Sequence, residues 1–394
     1  MMMILFAVFS ASFDETWCNP PHMQFVDVAG ADLIQVQVIT RHGARTPLHI
    51  SNNYNQIWMC NNTEFVLNRV YEANPAKVHV SYGKSLFGGE CHFGQLVAPG
   101  EIALKTLGEH FSRIYIKHMK FLPNEMIPSL MSFRSTSTHR TIHSAMAFIN
   151  GMYPNHTEIA IDVADKDFDP WRRSSLVCPN LKKRIDSLKE SPEFISQYGA
   201  AEEQTEIASK ATGVKTKAAP DVYMASRCAG LHRPNTEADN ILDKEALRKA
   251  RQQEKVFSDE NIFPLAFSFP ISEIINCAAA RISGESQTRF KLWSGHNGNI
   301  LGLLGYLGLP IKILPPFGSY FVFEFWKNSS SKEIFVRMNY NGKYVSIPRL
   351  NSKEHVPFSD FYAFVQAHMP SLYQECGFKP EKLKESTVQK IDDK

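Results

Sequence analysis

Three segments with the character of β-strands each run into arginine or histidine residues, and this pattern constrains the fold more than any other feature of the sequence. The strand-like segments are Leu33 to Thr40, Ile127 to Arg134 and Arg289 to Trp293. The first segment leads into Arg41, His42 and Arg45, the second into Arg134, His139 and Arg140, and the third into His296 and Asn297. In open α/β sheets, ligands bind beyond the carboxyl ends of the strands. We therefore expect these side chains to meet in one crevice.

Such a crevice predicts a site for a phosphate group. The arginine guanidinium is planar, stays charged and matches phosphate bidentately, and helix N-termini add backbone N–H groups. Each residue alone has an ordinary explanation. His42-Gly43 suits a simple turn, in which glycine supplies backbone freedom. Arg41, Arg45 and Arg140 suit a solvated surface, and His296 suits a core. The hypothesis depends on their conjunction.

Long helices between the strands indicate an α/β fold. Helical spacing is found in Pro99 to His118 and Thr138 to Asn150, and Asn341-Gly342 predicts a hairpin. We expect a three-layer sandwich with a central mixed sheet and an inserted, mainly helical lid. The expected segments are a signal peptide at 1–12, a core at 24–165 and 260–376, a lid at 166–259 and a polar tail at 377–394.

Composition and missing motifs exclude several classes of function. The 394 residues are 43% hydrophobic and 21% charged, with a net charge of +3, which argues against a nucleic-acid binder. No GxxxxGK[ST] loop, HExxH pair or GxSxG elbow occurs. Asp162, Asp165, Asp167 and Asp169 lack the glycine and terminal glutamate of an EF-hand, so we interpret them as exposed loop acids.

The N-terminus and the cysteines favour a secreted or luminal protein. The apolar run from Met1 to Phe13 predicts a signal peptide, although no basic residue precedes it. No other apolar stretch reaches the length of a membrane span without a polar break. Seven widely spaced cysteines suit disulfides in an oxidising compartment, with at least one left over. Sequons at Asn61, Asn155 and Asn328 agree with the secretory or lysosomal lumen.

Arg41-His42-Gly43-x-Arg45-x-Pro47 resembles the signature of the histidine acid phosphatases, in branch 2 of the histidine phosphatase superfamily. Further stretches resemble the same family, and they are Gly94-Gln95-Leu96 with Gly100, Arg134-Ser135-Thr136 with Arg140-Thr141, and Pro315-Pro316 before the strand at Tyr320 to Trp326. The resemblance runs from about residue 30 to 376. A weaker similarity, at Cys18-Asn19-Pro20-Pro21 and around Cys91, is to the 2-phosphoxylose phosphatase subgroup.

The resemblance implies a role for each matching residue. His42 is the nucleophile and forms a phosphohistidine intermediate. Arg41, Arg45 and Arg140 hold the phosphoryl oxygens, and His296 is the second imidazole. No metal and no cofactor are expected. The implied partner is a small phosphomonoester or phosphosugar, with neither nucleic acid nor a stable membrane insertion, and a homodimer stays open.

One position departs from the family pattern. Typical members carry a carboxyl residue after the second histidine, and this chain has Asn297. An amide cannot deliver a proton to the leaving oxygen, and general acid catalysis contributes about 10²–10⁴-fold. We therefore expect a phosphomonoesterase weakened on poor leaving groups. The alternatives are a catalytically impaired phosphate- or phosphosugar-binding relative, and a 2-phosphoxylose phosphatase of glycosaminoglycan synthesis.

Family position implies a disulfide between Cys178 and Cys376. Proximity in sequence suggests Cys60 with Cys91 and Cys228 with Cys277. This arrangement leaves Cys18 unpaired.

Overall fold

A computed structural model describes most of the chain. The described residues are 17–48, 58, 60, 66–71, 74–79, 91–156, 159–172, 177–199, 206, 209–210, 219–231 and 236–379. For 66–71 and 74–79 only the backbone is described. The predicted signal peptide, the sequon at Asn61 and residues 380–394 of the predicted tail lie outside this set.

A mixed sheet of eight strands forms the centre of the fold. The strands are β1 (Ala31–Arg41), β4 (Met131–Ser135), β5 (Asp162–Val163), β6 (Phe290–Gly295), β7 (Tyr320–Asn328), β8 (Ile334–Tyr340), β9 (Lys343–Tyr344) and β10 (His355–Pro357). Their order is β10-β8-β7-β1-β6-β4-β5, and β9 pairs with β8. The run β1-β6-β4-β5 is parallel and the other pairs are antiparallel. A separate hairpin contains β2 (Val66–Tyr71) and β3 (Asn74–His79).

Helices cover both faces of the sheet. They are α1 (Ala98–Phe111), α2 (His139–Met152), α3 (Pro179–Glu190), α4 (Pro192–Tyr198), α5 (Ala219–Cys228), α6 (Thr236–Ser258), α7 (Phe263–Ser283), α8 (Asn297–Leu307) and α9 (Phe358–Ala367). Val36 and Val38 share one core with α1 and α2, and Ile39 shares the other with α7 and α8. Successive strand residues point to opposite faces. The predicted three-layer α/β sandwich with a mixed sheet is confirmed.

The expected local elements match the observed ones within a few residues. The helix predicted from Pro99 to His118 is α1, whose α-helical part ends at Phe111. A π-helical segment, Ser112–His118, follows it directly. The predicted hairpin joins β8 and β9, with Asn341 and Gly342 both at positive φ. Asn-Gly is favoured there because it tolerates two left-handed residues in succession.

Helix α7 corrects the expectation about apolar stretches. Phe263–Ser283 is long and apolar enough to cross a membrane by length and composition. The helix contains Pro270, yet it is continuous over 21 residues. Ten of its residues are buried, and it packs against α8 and β1. Within the described chain it is therefore a core helix.

The segment 166–259, expected to be a helical lid, contains α3 to α6 and no strand among its described residues. It does not stand apart from the sheet. Trp171, Leu181 and Phe257 belong to the same apolar core as the sheet residues Ile39 and Phe323. The division of the chain into core and lid stays a prediction, but this shared core holds the segment against the rest.

Three disulfides are present among the described residues. Cys178–Cys376 and Cys60–Cys91 confirm two expected pairs. The third joins Cys18 to Cys228, so the pairing of Cys228 with Cys277 was wrong, and Cys277 is the free thiol. Distance along the chain misled that choice. Cys18 packs against the apolar cluster containing Cys228, whereas Cys277 lies on α7 near Gln35 of β1.

Candidate active site

The parallel register of the sheet brings three chain segments to one edge. Arg41 of β1 lies beside Gly295 of β6, and Ser135 of β4 lies beside Ser294. Each strand then ends, so that His42, Thr136 and His296 follow at the same level. The His42 N–H donates to the Gly295 carbonyl at 2.9 Å, and the Thr136 N–H to the Ser294 carbonyl at 3.1 Å. The crevice is therefore built by backbone pairing.

The imidazole of His42 lies at the floor of this crevice. Its Nδ1 is 2.9 Å from the Gly43 carbonyl oxygen, which can only accept, so Nδ1 donates and Nε2 carries the lone pair. Burial and the charges of Arg140, Arg41 and Arg45 lower the pKa of His42 well below its ordinary value. A neutral imidazole with a free Nε2 lone pair is the form required of a nucleophile.

Close packing holds the loop that carries His42. A Cβ atom at Gly43 would overlap the carbonyl oxygen of Gly100 in the first turn of α1. The Gly43 N–H also donates to Ser144 Oγ of α2 at 3.0 Å. Gly43 does not have a positive φ. The need for glycine is therefore close approach between loop and helix, not the turn freedom that the sequence suggests.

Three arginines surround His42. Arg41 donates to the Pro315 carbonyl, and its guanidinium lies 4.0 Å from the centre of the Phe317 ring. Burial, together with the charges of Arg45 and Arg140, lowers the pKa of Arg41 to about 9. Burial and the charge of Arg45 lower the pKa of Arg140 to about 10. The arginines are held close enough to repel one another, and a bound anion would relieve that repulsion.

Asp221 on α5 partly neutralises this cluster. It forms a bidentate ion pair with Arg45, whose Nη2 donates to Oδ1 at 2.8 Å and whose Nη1 donates to Oδ2 at 3.3 Å. The backbone N–H of Leu48 also donates to Oδ2, at 2.8 Å. Burial opposes its ionisation, but Arg45 and the Leu48 N–H outweigh burial and lower the pKa of Asp221. Among the described residues, Asp221 is the only carboxylate that forms an ion pair with Arg41, Arg45 or Arg140.

His296 faces His42 across the crevice. The two ring centres are 5.6 Å apart in an edge-to-face arrangement. His296 Nε2 is 2.9 Å from Thr136 Oγ1, and its backbone N–H donates to Asn299 Oδ1 at 2.7 Å. Asn299 is itself fixed by donating to the Trp171 carbonyl at 2.6 Å. Strand β4 and helix α8 together orient the second imidazole.

Asn297 begins α8 directly after His296 and is half-buried. It lines a cavity of about 310 Å³ together with Lys249, Gln253, Leu301 and Leu314. Its side chain is an amide, which donates hydrogen bonds without releasing a proton. The position beside the phosphate crevice therefore lacks a carboxyl acid.

Not every expected residue contributes to the crevice. Arg134, which ends the second strand-like segment, is bound by Asp169 at 2.8 Å and by Glu273. Asp169 is wholly buried, so its interpretation as an exposed loop acid was wrong. Together these contacts neutralise Arg134 within the structure. Among the described residues, no group of three or more histidine, cysteine or acidic side chains is arranged to hold a metal ion.

Sequence reasoning missed three residues of the site, which are Thr136, Asp221 and Phe317. Thr136 belongs to a stretch already singled out, and Phe317 follows the Pro315-Pro316 pair. Asp221 lies in a polar segment with no motif around it. Only Thr136 and Phe317 had a signal in the sequence that pointed to them.

Comparison with known families decides what the site belongs to. The family model of the histidine phosphatase superfamily (branch 2) matches residues 32–252, which is more than half of the chain. The chain belongs to this superfamily. It is accordingly a phosphoric monoester hydrolase of the acid phosphatase type.

Individual relatives of this histidine phosphatase are distant. Counting factor 60 of Dictyostelium discoideum is 23% identical over 83% of this chain and 84% of its own length. The 2-phosphoxylose phosphatase 1 of Danio rerio is 24% identical over 73% of this chain and 67% of its own. The solved Hafnia alvei phytase in complex with myo-inositol hexakis sulphate is 15% identical. It covers 89% of this chain and 99% of its own, with a TM-score of 0.61, and shares the fold.

Three disulfides indicate that this histidine phosphatase resides outside the cytosol. Cytosolic thiols are kept reduced, whereas disulfides persist in oxidising compartments. The two widest bridges close separations of 210 and 198 residues, so they connect distant parts of the fold.

Proposed function

We propose that the chain hydrolyses phosphomonoesters through a phosphohistidine intermediate on His42. The observation that carries the proposal is the buried, neutral His42 imidazole among Arg41, Arg45 and Arg140, with Nδ1 tied to a carbonyl. Nε2 attacks phosphorus as the bond to the leaving oxygen breaks. The arginines and His296 bind the phosphoryl oxygens. Fixed charges of this kind are typically worth about 10²–10³-fold each in rate.

Water completes the reaction. The leaving group departs with a proton, and a water molecule then attacks the phosphohistidine, which releases phosphate and restores neutral His42. Because the amide of Asn297 cannot supply the first proton, we propose that turnover depends more on the leaving group than it does with a carboxyl at this position. Arginine charge takes the place that magnesium fills in many other phosphoryl-transfer sites.

Rapid-quench trapping of labelled phosphate on the protein tests the intermediate. The quench must be alkaline, because the N–P bond is labile in acid. Wild type is expected to carry label at a histidine during turnover, and His42→Ala is expected to lose both label and hydrolysis. Hydrolysis by His42→Ala at the wild-type rate would overturn the proposal.

Two other functions remain candidates, each on one observation. Asn297 in place of an acid favours a phosphate-binding relative with little turnover. Such a protein would bind phosphate, and His42→Ala would weaken the binding, but even an aryl phosphate would be cleaved only very slowly. The Danio rerio relative favours a 2-phosphoxylose phosphatase. A kcat/KM for a 2-phosphoxyloside far above that for generic phosphomonoesters would support this second alternative.

We also propose that the chain enters the secretory pathway by a signal peptide at 1–12 and carries N-linked glycans. Asn155 is exposed, and Asn328 lies at the end of β7. The N-terminal sequence of protein from its own cells and its mass before and after glycosidase treatment test this proposal. An intact Met1 together with an unchanged mass would contradict it.

A further inference from the structure

The cavity beside Asn297 is formed between two facing helices. Lys249 and Gln253 lie four residues apart on α6, and Asn297 and Leu301 lie four residues apart on α8. Residues at this spacing share one face of a helix, and α6 packs against α8. The cavity of about 310 Å³ is thus walled by one ammonium group, two amides and two leucines.

Two residues of this cavity are direct neighbours in the chain of residues at the phosphate crevice. Asn297 directly follows His296, and Leu314 directly precedes Pro315, whose carbonyl accepts from Arg41. The Asp221 carboxylate is ion-paired with Arg45 and also acts on the charge of Lys249, which places Lys249 near the arginine cluster. The cavity is placed to receive the leaving group.

Lys249 is the cavity residue that carries an exchangeable acidic proton. The charged groups around it are Glu245 at 3.9 Å and Arg248, both on α6, and Asp221 on α5. Glu245 is already engaged by Arg248 at 2.6 Å. Burial and the charge of Arg248 lower the pKa of Lys249 and outweigh the two carboxylates. Lys249 therefore releases its proton more readily than a surface lysine.

Two aspartates near the site are poorly suited to donate a proton. Asp221 is ionised, because Arg45 lowers its pKa. Asp169 has no exposed surface and is bound to Arg134, so it cannot reach a substrate. Neither Asp221 nor Asp169 therefore takes the place of a carboxyl after the second histidine.

We propose that Lys249 is the catalytic acid that protonates the leaving group, from the lid helix α6 and opposite Asn297. The proposal rests on the proposed reaction at His42 and names its missing proton donor. As the His42 Nε2–P bond forms and the P–O ester bond breaks, one Nζ proton of Lys249 passes to the leaving oxygen. The neutral amine then takes a proton from the attacking water as the N–P bond breaks, and the ammonium is restored.

Paired substrates test this role. 4-Nitrophenyl phosphate needs little protonation of its leaving group, whereas glycerol 2-phosphate needs a proton. Lys249→Met is expected to lower kcat/KM on glycerol 2-phosphate by about 10²-fold and on 4-nitrophenyl phosphate by far less. The ratio kcat/KM covers the steps up to departure of the leaving group and excludes the later hydrolysis of the phosphohistidine, which is common to both substrates. Lys244→Met, an exposed lysine on the same helix, is the matched control. Equal losses on both substrates, or no loss on either, would overturn the proposal.

Lys249→Arg separates proton transfer from charge. Arginine keeps the positive charge but holds its proton too tightly to give it up. If Lys249 is the acid, Lys249→Arg loses turnover of glycerol 2-phosphate to the same extent as Lys249→Met does. If Lys249 only attracts the substrate, Lys249→Arg keeps wild-type turnover and the proposal fails.

A second-site rescue and a pH profile complete the design. Asn297→Asp in the Lys249→Met background is expected to restore turnover of glycerol 2-phosphate, with the basic limb of kcat/KM at lower pH than in wild type. Absence of rescue in a double variant that still cleaves 4-nitrophenyl phosphate would contradict a proton deficit. His42→Ala is run in parallel. If it stays active on both substrates, the proposed function fails independently of Lys249.

Discussion

Burial, together with repulsion among cations, governs the charge states of single residues in this site. Arg41, Arg45 and Arg140 lie around one imidazole, and each charge disfavours a further proton on His42. The result is a nucleophile that stays neutral at acidic pH. An ordinary histidine, with a pKa near 6.5, would be largely protonated in an acidic lumen.

Arg140→Gln is expected to shift the acid limb of the pH profile. Removing this charge raises the pKa of His42, because Arg140 is the largest electrostatic contributor that lowers it. Activity falls as pH drops through the pKa of His42, so the acid limb of kcat/KM moves to higher pH. The rate at the optimum also falls, by about 10²–10³-fold.

The matched control is Arg113→Gln, which removes the same charge from an exposed position. Profiles measured with one aryl phosphate share the ionisation of the substrate, so any difference comes from the protein. An unshifted limb in Arg140→Gln would show that another group controls it.

Asn297→Asp is expected to raise turnover of alkyl phosphates. A protonated carboxyl is a stronger acid than a lysine ammonium, so at acidic pH, where it still holds its proton, it protonates the leaving oxygen more readily than Lys249 does. We expect a gain of about tenfold or more on glycerol 2-phosphate and little change on 4-nitrophenyl phosphate.

Steady-state kcat/KM for the two substrates, which covers the steps up to departure of the leaving group, checks the effect of Asn297→Asp. Asn124→Asp, the same change at an exposed position, is the control. A variant with an unchanged ratio of the two rates would argue that proton transfer does not limit either reaction.

At the scale of secondary-structure elements, close helix packing supports the site. Helices α1 and α2 cross where neither can carry a side chain. A Cβ at Gly108 would overlap the Phe148 carbonyl oxygen, and one at Gly151 would overlap that of Lys105. Both helices also contact the loop of His42, through Gly100 and Ser144. Their spacing therefore sets the position of the nucleophile.

Gly108→Ala is expected to lower both stability and activity. The added methyl group forces the helices apart, and overpacking of this kind costs about 1–3 kcal/mol. Denaturant unfolding and kcat on an aryl phosphate measure the two effects. Glu109→Ala, at the adjacent exposed position, should leave both near wild type. Unchanged stability in Gly108→Ala would mean that the helices can separate freely.

At the scale of the whole molecule, disulfides join the N-terminal segment and the helical segment to the rest of the fold. Cys18–Cys228 connects the start of the described chain to α5, which also carries Asp221. Cys178–Cys376 connects the residue before α3 to the region after α9. Helices α3 and α5, the second of which carries Asp221 of the site, are thus bound covalently to distant parts of the chain.

Removing the Cys18–Cys228 bridge is expected to destabilise the protein. The double variant Cys18→Ala with Cys228→Ala should lose about 2–5 kcal/mol of unfolding free energy, because a long loop in the unfolded chain is no longer closed. Chemical denaturation under non-reducing conditions measures the loss. Cys277→Ala, which removes the free thiol, is the control. Equal stability of the two variants would contradict a structural role for the bridge.

Much of the fold was predictable from local patterns. The β-branched strand at Leu33 to Thr40 is the central strand β1, and its burial extends to Gln35 and Gln37. Gly308 ends α8 in a left-handed conformation, whereas Gly151, expected to follow the helix at Thr138 to Asn150, lies inside α2, which continues to Met152. Helix α7 was not predicted, because its apolar residues surround the helix and give no amphipathic period.

The amino-acid sequence by itself determined the α/β class and the residues at the strand ends, because side-chain period and turn chemistry act over a few neighbouring residues. The tertiary structure alone decided that Asp221 neutralises Arg45, that Asp169 and Glu273 bind Arg134, that Cys18 reaches Cys228 and that Lys249 faces Asn297. These contacts join residues far apart in the chain. Their proximity follows from how helices pack on the sheet, which no local pattern encodes.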